Sequence, residues 1–438
     1  MLKQDGLKSE MLNTVIRKEH KNDWEKRTAL TPSDAEELVK KGFPISVEPS
    51  EIRVFSDEDY KGRGIKLDGC PQKGDFVVGI KEPPVSSIQE NQVHLAFSHT
   101  IKGQDYNMPL LQKFIDQKAT LIDYEPIVDE SGKRTIAFGR FAGIAGAIDS
   151  FYVAGKKYTV RNEESCLSQI KQTWQYGSIA QVKQHFDSID LSVGEPVRVL
   201  VVGTGNVGKG SEEVCQWLGL PQVDIEQVLE GNTPGGNWYA VASSRHINQR
   251  KDSGANGEKA FDMSDFVEQG INAYESTFEN LLGQFNILLQ TPYWTEKYPK
   301  HLPQSVMLEN INKLPLVVGD ISCDINGSLE CTTKASDIDA PAFTYNVKQS
   351  GSTDGILAKG ISVMSIDNLP CELSLDSSLH FSAILKDYMQ NLMSIDLSKP
   401  FEKCGLINEL AGATIVYKGQ LTPKYRYLQS FLDEYFSK

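Results

Sequence analysis

Lys81, His99 and Glu125 each stand just after a short run of apolar residues in the N-terminal third of the chain. Such runs are typical of buried parallel strands, whose carboxyl ends meet at one edge of an open α/β sheet. A lysine, an imidazole and a carboxylate at that edge could move protons at neutral pH, because burial and neighbouring charges shift their pKa values. Each residue alone could equally be a solvated surface charge. Their recurrence after three apolar runs favours an acid–base site.

A glycine-rich loop follows a longer apolar run, residues 197–202, in the middle of the chain. Its glycines have the G-x-G-x-x-G spacing, and a helical pattern follows at residues 211–218. Between a strand and a helix, this spacing is typical of dinucleotide-binding folds, in which the glycines let the backbone approach a pyrophosphate at the helix N-terminus. The alternative is a plain structural turn. The candidate cofactor contacts in this loop are Gly203, Gly205, Asn206, Val207 and Gly208.

The elements that would position these residues alternate between strand and helix patterns, which predicts an α/β fold. Small residues at 138–147 indicate the start of a helix that packs closely against another backbone. We predict two Rossmann-like domains with a central cleft. The first would comprise residues 1–140 and, because the C-terminal tail would return to it, residues 371–438; the second would comprise residues 141–370.

The composition argues against several classes of partner. The chain has 438 residues, a formal net charge of -13 and no block of lysine and arginine, which argues against a nucleic-acid partner. No apolar run reaches membrane-spanning length, and residues 1–5 lack the apolar core of a signal peptide, so we expect a soluble intracellular protein, in the cytoplasm. The seven cysteines form no C-x-x-C pair and no Cys/His metal spacing, so we expect reduced thiols and no metal site.

Ordered motifs extend along most of the chain, at residues 24–32, 79–84, 97–102, 121–125, 137–139, 203–207, 320–322 and 365–370. In these motifs the chain resembles the lysine-2-oxoglutarate reductases, the family of L-lysine-forming saccharopine dehydrogenases, and more distantly alanine dehydrogenase. The resemblance is nearest to the reductase half of the bifunctional aminoadipic semialdehyde synthases. Because the glutamate-forming half has no counterpart in this sequence, the resemblance implies an enzyme with a single activity.

The resemblance also implies roles for individual residues. Lys81 and His99 would be the general acid–base pair. The residues that would contact the substrates are Arg27, Gln104, Glu125, Arg134, Phe138, Ser322 and Asp324. The further cofactor contacts would be Tyr293, Ile321, Ile366, Asp367 and Leu369. Glu82 and Glu125 could stabilise the protonated acid–base residues or bind substrate ammonium groups, and the sequence leaves both roles open.

The implied reaction condenses L-lysine with 2-oxoglutarate and reduces the imine to saccharopine with NADPH. Ser244 and Arg245 would meet the 2′-phosphate of NADPH, whereas Asp224 and Glu226 lie nearer the spacing at which NAD-binding domains carry an acidic residue. We favour Ser244 and Arg245, because an insertion at residues 230–237 makes simple counting unreliable. Two alternatives are a non-catalytic NADP(H)-binding sensor on the same scaffold and an alanine-type amino-acid dehydrogenase. The sequence does not indicate an oligomeric state.

Overall fold

The computed structural model describes residues 11–67, 69–252 and 260–438, and the chain divides into two compact units. Unit 1 joins Met1–Phe138 to Ser374–Lys438, and unit 2 is Gly139–Leu373. In this division, residues 139–140 and 371–373 belong to unit 2, in which the helix Gly139–Val160 packs against the turn Leu369–Leu373. Residues 1–5, in which we found no signal-peptide core, lie outside the described residues.

The secondary structure alternates between short strands and helices. The strands are β1 (Thr14–Ile16), β2 (Ile45–Val47), β3 (Lys66–Leu67), β4 (Phe76–Val78), β5 (Val93–Ala96), β6 (Thr120–Asp123), β7 (Arg198–Val202), β8 (Trp238–Ala242), β9 (Asn248–Arg250), β10 (Tyr274–Ser276), β11 (Ile287–Gln290), β12 (Val317–Asp320), β13 (Ala342–Asn346), β14 (Gly351–Asp354), β15 (Ile361–Met364), β16 (Thr414–Tyr417) and β17 (Gln420–Leu421). The α-helices are α1 (Pro32–Lys40), α2 (Asp57–Lys61), α3 (Met108–Asp116), α4 (Gly139–Val160), α5 (Ile179–Phe186), α6 (Asn206–Trp217), α7 (Ile225–Leu229), α8 (Ser244–Ile247), α9 (Met263–Gln269), α10 (Gln304–Glu309), α11 (Ser374–Leu392), α12 (Asn408–Ala413) and α13 (Leu428–Ser437).

Unit 1 is built on one sheet in the order β17-β16-β6-β5-β4-β1-β2-β3. β1 to β6 pair in parallel, and β16 and β17 extend the sheet in antiparallel fashion beside β6. Every residue of β4, β5 and β6 is buried, as expected of strands covered on both faces. Phe381, Leu385 and Met389 of α11 join the same core. The C-terminal tail therefore returns to the first unit, as predicted.

Unit 2 is built on a sheet in the order β14-β13-β15-β12-β11-β7-β8, in which β8, β7, β11, β12 and β15 are parallel. α4 and α6 approach each other so closely that a Cβ at Gly143 would lie 1.9 Å from Val207 O. A Cβ at Gly210 would likewise lie 2.1 Å from Arg140 O, so both helices need glycine where they meet. The two mainly parallel sheets confirm the predicted α/β fold class.

Candidate active site

The strands β4, β5 and β6 place the ionisable residues of unit 1 at one edge of its sheet. β4 pairs with β5, and β5 with β6, in parallel and in register. Lys81, His99 and Glu125 follow the carboxyl ends of these three strands, where ligands of open α/β sheets collect. The structure therefore brings the three residues to the same sheet edge.

Lys81 is a half-buried lysine whose surroundings lower its pKa. Burial, followed by the positive charge of Arg27, lowers the pKa of Lys81, while the carboxylate of Glu25 opposes the shift. Burial disfavours the ammonium because a charge loses hydration energy in a medium of low dielectric constant. A lysine with a lowered pKa can accept a proton closer to neutral pH, as a general base must.

The ring of His99 is oriented by a carboxylate. His99 Nδ1 donates to Glu82 Oε1 at 2.9 Å, and the ring lies nearly parallel to that of Phe97 with centroids 6.3 Å apart. His99 has a φ of 52°, uncommon for a residue with a Cβ, and its carbonyl oxygen accepts from Asn107 Nδ2 at 2.9 Å. Although burial opposes the shift, the hydrogen bond from His99 lowers the pKa of Glu82 to about 2. The carboxylate therefore stays charged and fixes Nδ1 as a donor.

Arg27 and Phe138 form one packed cluster in unit 1. The Arg27 guanidinium donates to both carboxylate oxygens of Glu25, at 2.7 and 2.6 Å, and lies 4.3 Å from the centroid of the Phe138 ring. Phe138 in turn stacks on Phe381, with centroids 4.8 Å apart. The guanidinium is thus oriented and charge-paired, so a substrate carboxylate would have to share it with Glu25.

The other predicted substrate residues of unit 1 lie nearer the surface. Arg134 forms an ion pair with Glu125, and the Arg134 side chain is 52% exposed while that of Glu125 is 13% exposed. Gln104 is exposed and precedes the 3-10 turn Asp105–Asn107. Both predicted arginines of unit 1 are therefore paired with carboxylates, Arg27 with the buried Glu25 and Arg134 with Glu125 nearer the surface.

Unit 2 contains a cavity of about 410 Å³ at the glycine-rich loop. Gly203 has a φ of 105°, and a Cβ at Gly208 would lie 2.0 Å from Gly203 O, so both positions need glycine. Gly205 is the N-cap of α6, and α6 begins at Asn206. A glycine-rich loop at the N-terminus of a helix fits the pyrophosphate of a dinucleotide, which accepts hydrogen bonds from N–H groups there.

Seven of the predicted cofactor contacts line this cavity; they are Gly203, Gly205, Asn206, Val207, Gly208, Ser244 and Tyr293. Arg245 is not among the lining residues; its side chain is 65% exposed, and its Nη2 lies 3.7 Å from Glu226 Oε1. β8 pairs in parallel with β7 and ends at Ala242, so Ser244 and Arg245 lie at the start of α8, just beyond the carboxyl end of β8. Asp224 caps α7 instead, accepting from Glu226 N.

The predicted cofactor residues near the ends of β12 and β15 form a second group in unit 2. Ile321 and Leu369 are buried, and both would contact a Cβ placed at Gly146 of α4. Ile366 is also buried, whereas Asp367 is exposed. These four residues are not part of the set that lines the glycine-loop cavity.

Ser322 and Asp324, also predicted to contact substrate, hold local structure after β12. Ser322 Oγ donates to Asp320 Oδ1 at 2.6 Å, and Asp324 Oδ2 accepts from Trp294 N at 3.3 Å. Burial raises the pKa of Asp320 to about 6, although the Ser322 hydroxyl opposes the shift. Both predicted residues thus stabilise the loops on which they lie.

One side of the cavity is an apolar wall that was not predicted from the sequence. It consists of Met263, Phe266 and Val267 of α9 together with Tyr298, whose ring stacks on Phe266 with centroids 5.1 Å apart. Met263 and Val267 are 51% and 49% exposed. Their i, i+3, i+4 spacing is typical of one helix face, but the spacing does not reveal what that face borders.

The comparisons with solved structures concern the whole fold. An L-alanine dehydrogenase matches with a TM-score of 0.61 and 17% identity, over 96% of this chain and 99% of that chain. A transhydrogenase from Sinorhizobium meliloti matches with a TM-score of 0.58 and 13% identity, over 93% of this chain and 99% of that chain. Residues 15–145 match the family model "Alanine dehydrogenase/PNT, N-terminal domain". The fold is therefore of the two-domain alanine dehydrogenase type.

The comparisons with curated sequences are more specific. The mitochondrial alpha-aminoadipic semialdehyde synthase of Mus musculus is 29% identical over 96% of this chain and 48% of its own length. The synthase of Arabidopsis thaliana is 30% identical over 93% of this chain and 40% of its own length. The saccharopine dehydrogenase [NAD(+), L-lysine-forming] of Emericella nidulans is 26% identical over 82% of this chain and 87% of its own length.

These matches confirm the resemblance found in the motifs: the chain is a homologue of the saccharopine dehydrogenases and of the alpha-aminoadipic semialdehyde synthases. It spans about half or less of the length of the synthases that it matches. Within residues 11–67, 69–252 and 260–438, no helix combines the length and the apolar character that crossing a membrane requires.

Proposed function

We propose that this chain is a lysine-2-oxoglutarate reductase that condenses L-lysine with 2-oxoglutarate and reduces the imine to saccharopine with NADPH. One observation carries the proposal: a half-buried lysine of lowered pKa and a carboxylate-held histidine share a sheet edge in a homologue of saccharopine dehydrogenases. The similarity to those dehydrogenases supports lysine and 2-oxoglutarate as the proposed substrates. The cavity at the glycine-rich loop supports a dinucleotide as the proposed cofactor.

Lys81 and His99 would share the proton transfers. The ε-amine of free lysine has a reference pKa of about 10.4, so it needs a base before it can attack the keto carbon. Lys81 has a lowered pKa and would take that proton. Because His99 Nδ1 donates to Glu82, the protonated imidazole would give its Nε2 proton to the carbinolamine hydroxyl, which then leaves as water.

Arg27 and Arg134 would bind the two carboxylates of 2-oxoglutarate. A guanidinium presents two parallel N–H groups that match a carboxylate, and each arginine already pairs with one in this structure. Glu25 and Glu125 would then be positioned to meet the ammonium groups of the lysine substrate. When bound at the glycine loop, the reduced nicotinamide supplies the hydride for the imine carbon.

NADPH is proposed over NADH because of the residues at the carboxyl end of β8. Ser244 borders the cavity and Arg245 is its neighbour, whereas Asp224 is engaged as the cap of α7. A hydroxyl and a guanidinium after the second strand suit a 2′-phosphate, while an acidic residue there suits a free ribose hydroxyl. Because the homologue of Emericella nidulans is named for NAD(+), the preference for NADPH over NADH is the most important property to measure.

The test is a spectrophotometric assay of reduced cofactor with lysine and 2-oxoglutarate present together or omitted in turn. We expect oxidation only with both substrates and a higher kcat/KM with NADPH than with NADH. Pyruvate with ammonium in their place tests the alanine-type alternative, which the match of residues 15–145 to an alanine dehydrogenase model makes worth including. Tight NADPH binding without turnover on either substrate set would indicate a sensor and contradict the proposal.

A further inference from the structure

A buried ion pair, Arg17 with Glu19, lies directly after β1 and reaches the backbone that carries Lys81. Arg17 Nη2 lies 3.2 Å from Glu19 Oε2, and the two side chains are only 3% and 2% exposed. β1 is paired in parallel with β4, so the residues that follow these two strands are neighbours at the sheet edge. This is also the point where the strand order of unit 1 reverses, with β2 on one side of β1 and β4 on the other.

The ion pair contacts the backbone on both sides of the residue Lys81. Glu19 Oε1 accepts from Ile80 N at 2.7 Å and Glu19 Oε2 accepts from Lys81 N at 3.0 Å. Arg17 Nη2 donates to Lys81 O, and Arg17 Nη1 donates to Lys18 O at 2.9 Å. Both the N–H and the carbonyl of Lys81 are therefore held by one charged pair.

Gly79 shows how closely the arginine lies along this segment. A Cβ at Gly79 would be 2.2 Å from Arg17 Nε, so a side chain there would displace the guanidinium. On the same residue, Gly79 O accepts from Tyr124 Oη at 2.9 Å. Side-chain contacts from Arg17, Glu19 and Tyr124 thus hold the backbone of residues 79–81.

We propose that Arg17 and Glu19 are positioning residues that set the backbone, and hence the ammonium group, of Lys81 for proton transfer. A buried ion pair is a costly way to gain stability, because both charges lose hydration, and in some proteins such a pair serves to fix one conformation. The inference rests on the proposed function, since it needs Lys81 to act as the base. A displacement of about 1 Å at a reacting group can slow turnover by about a hundredfold.

The test is a double-mutant cycle on kcat, with lysine, 2-oxoglutarate and NADPH as substrates. The single variants are Glu19→Gln, which can hold only one of the two N–H groups, and Arg17→Lys, which keeps the charge but loses the guanidinium fork. Each is made in the wild-type chain and in a Lys81→Met chain. Arg53→Lys is the matched control, because Arg53 is another buried arginine of unit 1, bonded to Glu48 O and Asp57.

We expect both variants to lower kcat by about tenfold in the wild-type chain while the KM for NADPH changes by less than about twofold. In the Lys81→Met chain, the same substitutions should change kcat by less than about twofold, since the group that they position is gone. Arg53→Lys should lower kcat equally little in both chains.

Equal losses with and without Lys81 would show a general structural role and overturn the inference. So would an Arg17→Lys variant with wild-type kcat, even if Glu19→Gln failed to fold. A Lys81→Met chain with wild-type turnover would instead contradict the proposed function itself, and the inference would then be overturned together with it.

Discussion

β1 in unit 1 and β7 in unit 2 occupy the same place in their sheets, yet different residues follow them. Each is the strand at which the order reverses, between β2 and β4 in one sheet and between β8 and β11 in the other. After β1 come Arg17 and Glu19, a buried ion pair, while β7 is followed by Gly203 and an open cavity. In open α/β sheets, this reversal is the usual ligand site.

The comparison shows that the fold determines where a site can form, whereas the residue types at that place determine whether it can transfer protons or bind a cofactor. In unit 1, charged side chains follow the strand at which the order reverses. Titratable groups lie nearby, including Lys81 with its lowered pKa and Glu82 with a pKa of about 2. Unit 2 has glycine at positions 203, 205 and 208 of the equivalent loop, so backbone N–H groups there can face phosphates. We therefore expect substitutions in unit 1 to act on proton transfer and substitutions in unit 2 to act on cofactor binding.

The largest effect should come from the acid–base pair. We expect Lys81→Met and His99→Gln each to lower kcat by about a hundredfold or more, the usual scale of lost acid–base catalysis, with little change in NADPH affinity. Steady-state kinetics across pH and a fluorescence titration of NADPH measure the two quantities. Lys40→Met is a matched control, because the Lys40 side chain is 70% exposed on α1 of the same unit. Near-normal turnover of either variant across the pH range would remove that residue from the proposed pair.

Much of the fold that positions these two regions was predictable from the sequence. Continuous apolar runs predicted β4 to β7, because strands buried on both faces carry no polar alternation. The small residues at 138–147 predicted a helix packed closely against another backbone, which α4 confirms at Gly143. The helix after the glycine loop begins earlier than its pattern indicated, at Asn206, because small residues such as Gly208 carry no helical periodicity.

What could not be predicted were contacts between residues far apart in the sequence. The contacts of Arg17 with Lys81 O and of Glu82 with His99 join different strand ends, and no local pattern encodes such pairs. The ion pairs of Arg27 and Arg134 are closer in sequence, but spacing alone does not show that each guanidinium is already engaged. The apolar wall on α9 has a helical spacing, but only the fold shows that it borders the glycine loop.

A second prediction tests substrate binding in unit 1. We expect Arg134→Lys to lower kcat/KM for 2-oxoglutarate by about tenfold or more, because lysine keeps the charge but loses the bidentate fork. NADPH binding measured alone should not change. Arg63→Lys is the matched control, since Arg63 is also a partly exposed arginine, paired with Glu36 in the same unit. Unaltered keto-acid kinetics would show that Arg134 does not bind substrate, and a loss of NADPH binding would assign it to the cofactor.

Arg245 provides the corresponding test in unit 2. We expect Arg245→Ala to lower kcat/KM for NADPH by about tenfold and to leave NADH unchanged, because only NADPH carries the 2′-phosphate that the guanidinium would meet. Arg161→Ala, at another partly exposed arginine of unit 2 that pairs with Glu163, is the control. If Arg245→Ala used NADPH normally, the discrimination would have to lie elsewhere, and Ser244 would be the next residue to replace.

The apolar wall predicts which half of the cofactor it meets. We expect Met263, Phe266 and Val267 to pack against the adenine ring, so Val267→Asp should weaken NADPH binding by about tenfold, because an aspartate carboxylate would be desolvated there. Reduced nicotinamide mononucleotide lacks the adenosine half and should bind both proteins equally. Leu308→Asp on α10 is the control, at a side chain that is 47% exposed. An equal loss for both ligands would place the nicotinamide, and not the adenine, against the wall.

The smallest effect should appear in stability, at two buried carboxyl groups of unit 2. Asp149 accepts from Thr173 N at 2.9 Å, and burial, followed by the Asp149 carboxyl, raises the pKa of Glu372 well above its ordinary value. Folded Glu372 therefore keeps a proton that the unfolded chain releases above pH 4.5, its ordinary pKa, so the free energy of unfolding should fall as pH rises from there. Glutamine can still donate to Asp149 but cannot ionise.

We therefore expect Glu372→Gln to raise the free energy of unfolding by on the order of 1 kcal/mol at pH 8 and to change it little at pH 4.5. Urea unfolding at several pH values between these limits measures the effect, and Glu309→Gln, at an exposed position on α10, is the matched control. The gain should grow with pH because ionising the buried Glu372 beside Asp149 costs more free energy in the folded protein than in the unfolded chain. Glutamine removes that cost. A gain that is the same at every pH would mean that Glu372 ionises normally in the folded protein.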